Sequence, residues 1–518
     1  MNQWPSEESD IHAATWLGFM LMCLGMFMAI LDIQVVATSL PTIRRALAMA
    51  PDLMSWIQTA YLVAEIIAIA LTGWMTRVLT LRWLFVAAIS LFTLASVGCA
   101  FSGSFAVLIS FRVLQGFAGG TLIPAVFSAV FLLFPTRLHP IATTLAGIMA
   151  VLAPTVGPVV GGWITDTWSW HWLFLINVIP GIIAAAVTPL VLPRTRPCLA
   201  DLVTLDGHSL ALMAIALASL EIGLKQAPQQ GWFSPACLAL FLLCGIAAAH
   251  FAVRTLRAEH PVVELSTLST RSFAIGCALS FCLGVGLFGS VYLMPVFLAY
   301  VRHHDAFEIG TIMLVTGVAQ LATAPIAGAM ESRFDPRWLS AGGFALFAFG
   351  LGCSAFQSRV AGFDEMFWPQ VLRGVAIMFC LLPPTRLALG TLTASQVPDA
   401  SCLFNLMRNL GGAIGIALID TILYGRTAQH AGVLRDRLIA GDITAAQAIG
   451  LDLQLFTHRP AGVTDAAVEA YVRPLVERVA FALSTNEAWA LLAAVTLLGL
   501  MLVPLAVRPP ARADANRD

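Results

Sequence analysis

Six polar side chains stand inside long apolar runs and are the first candidates for chemistry: Asp32, Glu65, Arg112, Gln115, Arg373 and Asp420. An ionisable group surrounded by hydrocarbon is costly, so a functional role is its default reading. Desolvation disfavours a charged carboxylate and a nearby cation favours it, so a carboxyl whose surroundings alternate can load and release protons near neutral pH. Asp32, in the run MFMAILDIQVV, is such a group. A guanidinium keeps its proton in proteins and must find an acceptor. Counting about 1.5 Å per residue inward from the ends of their runs on one side, Asp32 lies roughly 12 Å deep and Arg112 roughly 11 Å, so the two can meet. Pairing in one conformation only would tune Asp32. The alternatives are a permanent Asp32–Arg112 bridge that locks two helices, or a structural carboxyl that caps a neighbouring helix.

The elements that position these groups follow from composition. The chain has 518 residues, 59% hydrophobic and 11% charged. Soluble globular chains carry about 25% charge, which excludes a water-soluble enzyme. Lys plus Arg (28) and Asp plus Glu (29) nearly cancel, leaving no basic excess for nucleic acid. The charges fall in short clusters between apolar runs, the layout of a polytopic membrane protein. The ten cysteines sit mostly in those runs, as at Cys23, Cys99, Cys277, Cys282 and Cys380, without a ligand-like spacing, and read as small buried hydrophobes. The first residues lack Lys and Arg and no small-residue cleavage site follows the first run, so no cleaved signal peptide is expected.

A membrane helix needs about 20 apolar residues. On that ruler fourteen spans are predicted, at 17–40, 55–75, 82–101, 105–128, 141–162, 171–191, 208–226, 235–254, 272–298, 308–330, 338–356, 367–390, 401–424 and 484–507. With the N-terminus inside, thirteen arginines fall on cytoplasmic segments, against five basic residues, Lys225 among them, on short outside loops, which orients both termini to the cytoplasm. A long polar connection, 425–483, then faces outward.

The chain also resembles itself. GWMTRVLTLRWL (73–84) aligns without gaps to GAMESRFDPRWL (328–339), and RVLQG (112–116) echoes QVLRG (370–374) with Arg and Gln exchanged. The two echoes are offset by about 255 to 258 residues and fall at equivalent spans. Two six-helix units in parallel orientation with two helices set between them describe a transporter whose site lies between the halves. The expected division is an N-terminal bundle at 17–192, two linker helices within 193–271, a C-terminal bundle at 272–507 including the 425–483 loop, and short tails at 1–16 and 508–518.

Six stretches carry a resemblance: LDIQVVATSLP (31–41), GWMTRVLTLRW (73–83), FRVLQGFAGGTLIPA (111–125), APTVGPVVGGWITD (153–166) with WHWLFLINVIPG (170–181), and NLMRNLGGAIG (405–415). Over nearly its whole length the chain resembles the fourteen-helix drug:proton antiporters of the major facilitator superfamily, the EmrB/QacA type. The resemblance implies an all-α membrane fold of two six-helix bundles plus two linker helices. It further implies proton-coupled efflux of hydrophobic or amphipathic compounds by alternating access. It ties the Asp at position 32 to proton coupling or cation recognition and the Arg at 112 to proton transfer. Pro154, Gly157, Pro158, Gly161 and Gly162 match its antiporter signature, which reads either as a hinge or seal, or as close packing.

Gly73, Arg77 and Arg82 match its cytoplasmic gating loop, with a departure: Arg77 stands where the pattern has Asp, and Thr80 where it has Gly. A charge latch of the usual form cannot be carried over, and the positive-inside rule is the favoured account of Arg77 and Arg82. By analogy with the fold, Glu65 and Asp420 lie on helices that meet at the seam between halves, as proton sites, cation contacts or gate residues. Arg373, the repeat partner of Gln115, is expected to face the central cavity, and Arg408 either shares that depth or snorkels to the cytoplasmic surface.

By the same resemblance the chain sits multi-pass in the cytoplasmic (inner) membrane, with no cofactor beyond the proton gradient. Its partners are drugs, protons and the membrane, with a periplasmic membrane fusion protein and an outer-membrane channel as further expectations. An amphipathic helix resting on the membrane is the other reading of 425–483. A dedicated metabolite or siderophore exporter is the close alternative. A polytopic enzyme is a weaker one, since His303, His304 and Asp305 form the only polar cluster and lack ligand spacing. No nucleotide-binding Gly-Lys-Ser/Thr loop is present.

Overall fold

The computed structural model describes residues 12–49, 53–54, 56–194, 197, 206–258, 261–390, 392–393, 395–452 and 466–506. A chain with this hydropathy must satisfy its backbone groups internally where water is absent, and it does so with helices. They are α1 (Ala13–Ala46), α2 (Trp56–Ala100), α3 (Phe105–Leu133), α4 (His139–Thr167), α5 (Trp172–Leu175), α6 (Val178–Val191), α7 (Gly207–Gln230), α8 (Pro235–Arg257), α9 (Arg271–Tyr300), α10 (Ala306–Arg333), α11 (Pro336–Cys353), α12 (Phe363–Leu389), α13 (Val397–Ile439), α14 (Ile443–Ile449) and α15 (Ala466–Leu502).

Among the described residues thirteen helical segments are long and apolar enough to cross a membrane, α5 and α6 counting as one. α2 is a single helix of 45 residues broken at Thr80, whose backbone leaves the helical region (φ 68°, ψ 155°). Its two arms correspond to the two spans predicted at 55–75 and 82–101, so the crossings number fourteen. The expected loop carrying Arg77 and Arg82 is not a loop: the helix runs through both residues and turns only at Thr80.

The connection at 425–483, where the sequence offers helix-compatible stretches such as DAAVEAYVRPLVERVAFAL, is helical over much of its described length. α13 continues past the span to Ile439 and α15 begins at Ala466, well before its span. The extensions and the short α14 pack together through Leu434, Ile449, Val476, Val479 and Ala480, a hydrophobic cluster separate from the main cores. Apolar side chains at helical spacing in an otherwise polar stretch, as in VRPLVERVAFAL, account for it. The tails at 1–11 and 507–518, including Arg508, Arg512 and Arg517, lie outside the described residues, as does Arg196.

Within the first half α2 packs on α3 and α1 on α4; within the second, α9 packs on α13 and α11 on α12. Close approach needs bare backbone at the α2–α3 crossing. A Cβ on Gly116 would run into the main chain of Tyr61, and one on Gly120 into that of Glu65. The halves meet along two seams, α4 against α10 and α2 against α13, and α7 lies over the second, touching both helices.

Candidate functional site

The first half holds a polar network with no exposed member. Asp32, Arg112 and Gln115 are all at 0% exposure and Asn177 at 1%. Nη1 of Arg112 donates to Oδ2 of Asp32, making an ion pair sealed from solvent. Gln115 donates to Oδ1 of the same carboxylate at 2.9 Å and Asn177 donates to it at 3.0 Å. Arg112 is further held by the carbonyl of Ile57 at 3.2 Å and by Oε1 of Gln115 at 2.8 Å, and it lies 4.3 Å from the Tyr61 ring centre. Burying two charges costs several kcal/mol each unless pairing and hydrogen bonds offset it, and here both carboxylate oxygens are satisfied. Nη2 of Arg112 has no partner, a donor left unused in this conformation.

α1, α3 and the α5–α6 junction supply the carboxylate, the guanidinium and the Asn177 amide. α3 places Arg112 and Gln115 three residues apart on one face, so both reach Asp32. Sequence reasoning paired Asp32 with Arg112 by depth; it assigned nothing to Asn177, although an amide inside LFLINVIPG was a readable signal.

Glu65 is 3% exposed, on the helix face against Gly120, within electrostatic reach of Asp32 and Arg112. Asp420 accepts a hydrogen bond from the Tyr292 hydroxyl at 2.6 Å. The structure does not bring Glu65 and Asp420 into contact; α7 lies between them. Lys225, counted above among outside-loop cations, is inside α7, where its ammonium donates to Thr59 of α2 and lies near Glu221 and Asp420. Glu221, one turn earlier, is in turn near Glu65. Trp232 donates to Thr421 of α13 at 2.9 Å, fixing the end of α7 to the seam. Glu221 and Lys225 were missed because an acid and a base four residues apart read as an ordinary helix end.

The antiporter signature lies on the seam. Gly157 of α4 packs against Gln34 of α1, while Thr155 and Val159 on the opposite face fill the space over Gly317 and Gly310 of α10. Pro154 lines a cavity shared with α9, α10 and α12. Gly161 accepts a hydrogen bond from Thr165 at 2.7 Å, and Thr165 bonds Ser39 of α1 at 2.6 Å; Gly162 is buried.

Arg77 pairs with Asp399, the third residue of α13, and donates to the carbonyl of Pro261 at 3.0 Å. Gly73 lies against Asp399, whose Cα would be 2.9 Å from an added Cβ. Arg77 thus joins the two halves by an ion pair, a contact that the positive-inside account did not include and does not exclude. Arg82 instead stacks beside Trp83, 5.1 Å from its ring. Asp399 was not a sequence candidate, since nothing local links it to Arg77, 322 positions away.

In the second half Arg373 is 2% exposed, with Nη2 3.5 Å from the sulfur of Met294 and its guanidinium 4.7 Å from the Trp489 ring. Arg408 does not snorkel: it is 6% exposed, between Phe127 and Phe404. Asp305 caps α10 in a capping box with Glu308, which also binds His304, so the polar cluster there has a structural role. Among the described residues no three His, Cys, Asp or Glu side chains gather as metal ligands.

Residues 22–416 match the model of the Major Facilitator Superfamily. The chain is 38% identical over 432 residues to the colistin resistance protein EmrB of Acinetobacter baumannii, covering 83% of this chain and 84% of that one. It is 30% identical over 491 residues to the multidrug export protein EmrB of Escherichia coli, covering 94% of each. A fatty acid resistance protein, FarB of Neisseria gonorrhoeae, is 28% identical over 94% of this chain and 95% of its own. Among solved structures, the human organic anion transporter MFSD10 superposes with a TM-score of 0.60 at 13% identity, over 94% of this chain and 99% of that one. The proton:xylose symporter XylE gives 0.58, also at 13% identity, over 94% and 95%. These two establish the fold alone.

Proposed function

The chain belongs to the Major Facilitator Superfamily and within it to the EmrB-type drug:proton antiporters, a family of multidrug efflux transporters rather than of enzymes; from that premise we propose that Asp32 is the carboxylate through which protons drive export. The observation that carries the reading is the sealed Asp32 network. In this conformation Asp32 faces Arg112 as counter-ion, with Gln115 and Asn177 as further donors. Separation of α1 from α3 on exchange of access removes the cation and admits water, so the carboxylate can take a proton from one side and deliver it to the other. Arg112 positions and discharges the carboxylate; it carries no proton itself.

Glu65 is the second protonation candidate, coupled to the first through the field of Arg112. The α4 signature and the Arg77–Asp399 pair act as seals, holding one face shut while the other is open. The substrates are hydrophobic or amphipathic compounds that enter between the halves, beside Gln115, Arg373 and Asp420. The membrane is the inner one, both termini lie in the cytoplasm, and the α13–α15 extensions face outward, where a membrane fusion protein and an outer-membrane channel can complete the route.

Proton flux in everted vesicles, followed with a pH-gradient dye, tests this. Added lipophilic compounds should collapse the gradient with the wild type and not with Asp32→Asn. A full response from Asp32→Asn would move the coupling role to Glu65, and no response from the wild type to any compound class would overturn multidrug antiport.

A further inference from the structure

The second echo of the internal repeat exchanges Arg and Gln, and among the described residues the exchange leaves a guanidinium without a carboxylate. Gln115 of α3 and Arg373 of α12 are repeat counterparts. Gln115 meets the Asp32 carboxylate; Arg373 in the equivalent position meets the thioether of Met294. The first half thus sets its base against an acid, whereas the acids of the second half have other partners: Asp420 is bonded to Tyr292 and Asp399 to Arg77. Among the described residues no carboxylate pairs with Arg373, and its Nε has no hydrogen-bond partner. A permanently charged guanidinium at 2% exposure, with only a sulfur and an indole face for company, is poorly compensated.

Arg373 opens into the cavity between α4, α9, α10 and α12. Thr155, Ser290, Thr316 and Gln320 add polar atoms to its wall, and the remainder is apolar, including Val151, Leu287 and Ile377. The Gln320 amide also has an atom without a partner, and an amide can turn to present either its oxygen or its nitrogen. One fixed cation, a few amide and hydroxyl groups and a greasy wall match the chemistry of a ligand with an oxyanion at one end and hydrocarbon at the other, which the cavity, about 50 Å³ in this conformation, would admit as the halves part. An inorganic anion would leave the apolar wall unused.

We propose that this cavity is a subsite for amphipathic anions, in which the transported compound supplies to Arg373 the counter-charge that Asp32 supplies to Arg112. The two halves then divide the work: the acid in the first half takes the proton and the base in the second takes the cargo. The proposal names a substrate class for the transport reading and rests on it.

The test uses the full-length chain in phosphatidylcholine nanodiscs and measures binding by titration calorimetry, without a proton gradient. The probes are 2-naphthoate, its neutral amide 2-naphthamide, and 2-naphthylmethylammonium. The wild type should bind the carboxylate at least about tenfold more tightly than the amide, the size of one charge-assisted hydrogen bond. Arg373→Gln should abolish that preference, and Arg373→Lys should keep part of it, since an ammonium retains the charge and lacks the planar fork. Met294→Glu, which places a carboxylate inside the protein where Arg373 can reach it, should also abolish the preference and raise the melting temperature. That variant keeps the proposal testable if Arg373→Gln fails to fold. Equal binding of carboxylate and amide by the wild type would overturn the subsite. So would unchanged carboxylate binding by both Arg373→Gln and Met294→Glu, leaving Arg373 as a packing element against Trp489. Failure of drug-dependent proton flux with the binding preference intact would sink the transport reading and spare the subsite.

Discussion

Arg77 in the first half and Asp399 in the second form an ion pair across the α2–α13 seam, with the carboxylate only 2% exposed and Gly73 closing over it. The family pattern has an acid at position 77; here a base stands there and the acid is on the facing helix. The pair takes its carboxylate from α13 instead.

Breaking it from either side should therefore favour the conformation in which these ends part. Arg77→Asp and Asp399→Arg are each expected to lower compound-dependent proton flux, on the order of tenfold, the size of a typical coupling between conformations. The double exchange should restore most of it. Recovery no better than the worse single variant would show that the pair contributes packing rather than charge.

Thr80 is the other departure from the pattern, and it sits where α2 breaks, at φ 68°. A β-branched residue in that region costs on the order of 1 to 3 kcal/mol, which glycine does not pay. Its hydroxyl is also buried without a partner. Thr80→Gly should raise the apparent melting temperature in nanodiscs, and a lower one would mean that the Thr80 side chain packs better than its backbone suffers.

The linker helix α7 is placed to act in transport. Glu221 and Lys225 lie at the seam between Glu65 and Asp420, and Lys225 bonds Thr59. Glu221→Gln or Lys225→Met should change the pH profile of proton flux while protein yield stays near wild type. A profile that overlays the wild type in both would reduce α7 to a spacer.

Gly120 tests the α2–α3 contact beneath the acid network. Gly120→Ala drives a methyl into the backbone of Glu65, and overpacking of this kind costs about 1 to 3 kcal/mol. Lower thermal stability is expected, and an unchanged melting curve would show that the helices separate without penalty.

Asp206, outside the membrane spans, supplies a pH control. It caps α7, and its hydrogen bond to Ser209, aided by Arg254, lowers its pKa to about 2. A depressed carboxyl stabilises the fold above its unfolded value, about 3.9, and that contribution is lost only as pH falls toward 2. Asp206→Asn should leave the pH profile of flux between pH 6 and 8 unaltered.

Much of this was readable in the residues. Fourteen crossings followed from apolar run lengths, and the meeting of Asp32 and Arg112 followed from depth, because helix rise is fixed and membrane thickness nearly so. The repeat gave Gln115 and Arg373 as counterparts. Hidden were contacts made across long sequence separations. Asp399 looked like a helix-end acid until α13 was set against α2, and Asn177 gained its role only where α6 met α1. Position 77 misled for a related reason, since an arginine near a membrane surface satisfies the positive-inside rule whether or not it has a partner. In the 425–483 stretch the helix-compatible segments were legible, but not that they continue the flanking spans, because hydropathy reports the membrane and not the helix, which can run on into water.

α13 is one unbroken helix of 43 residues, roughly 64 Å long, and the hydrocarbon of a bilayer takes about 30 Å of that. It begins at the Arg77–Asp399 latch, passes Arg408 and Asp420, and ends braced by α15 beyond the span. A rod of this length cannot tilt at one end alone. A displacement of a few ångströms at the Arg77–Asp399 end, if the helix pivots about its middle, moves the far tip by a comparable amount in the opposite direction, so the two ends of α13 report on each other as the arms of a lever.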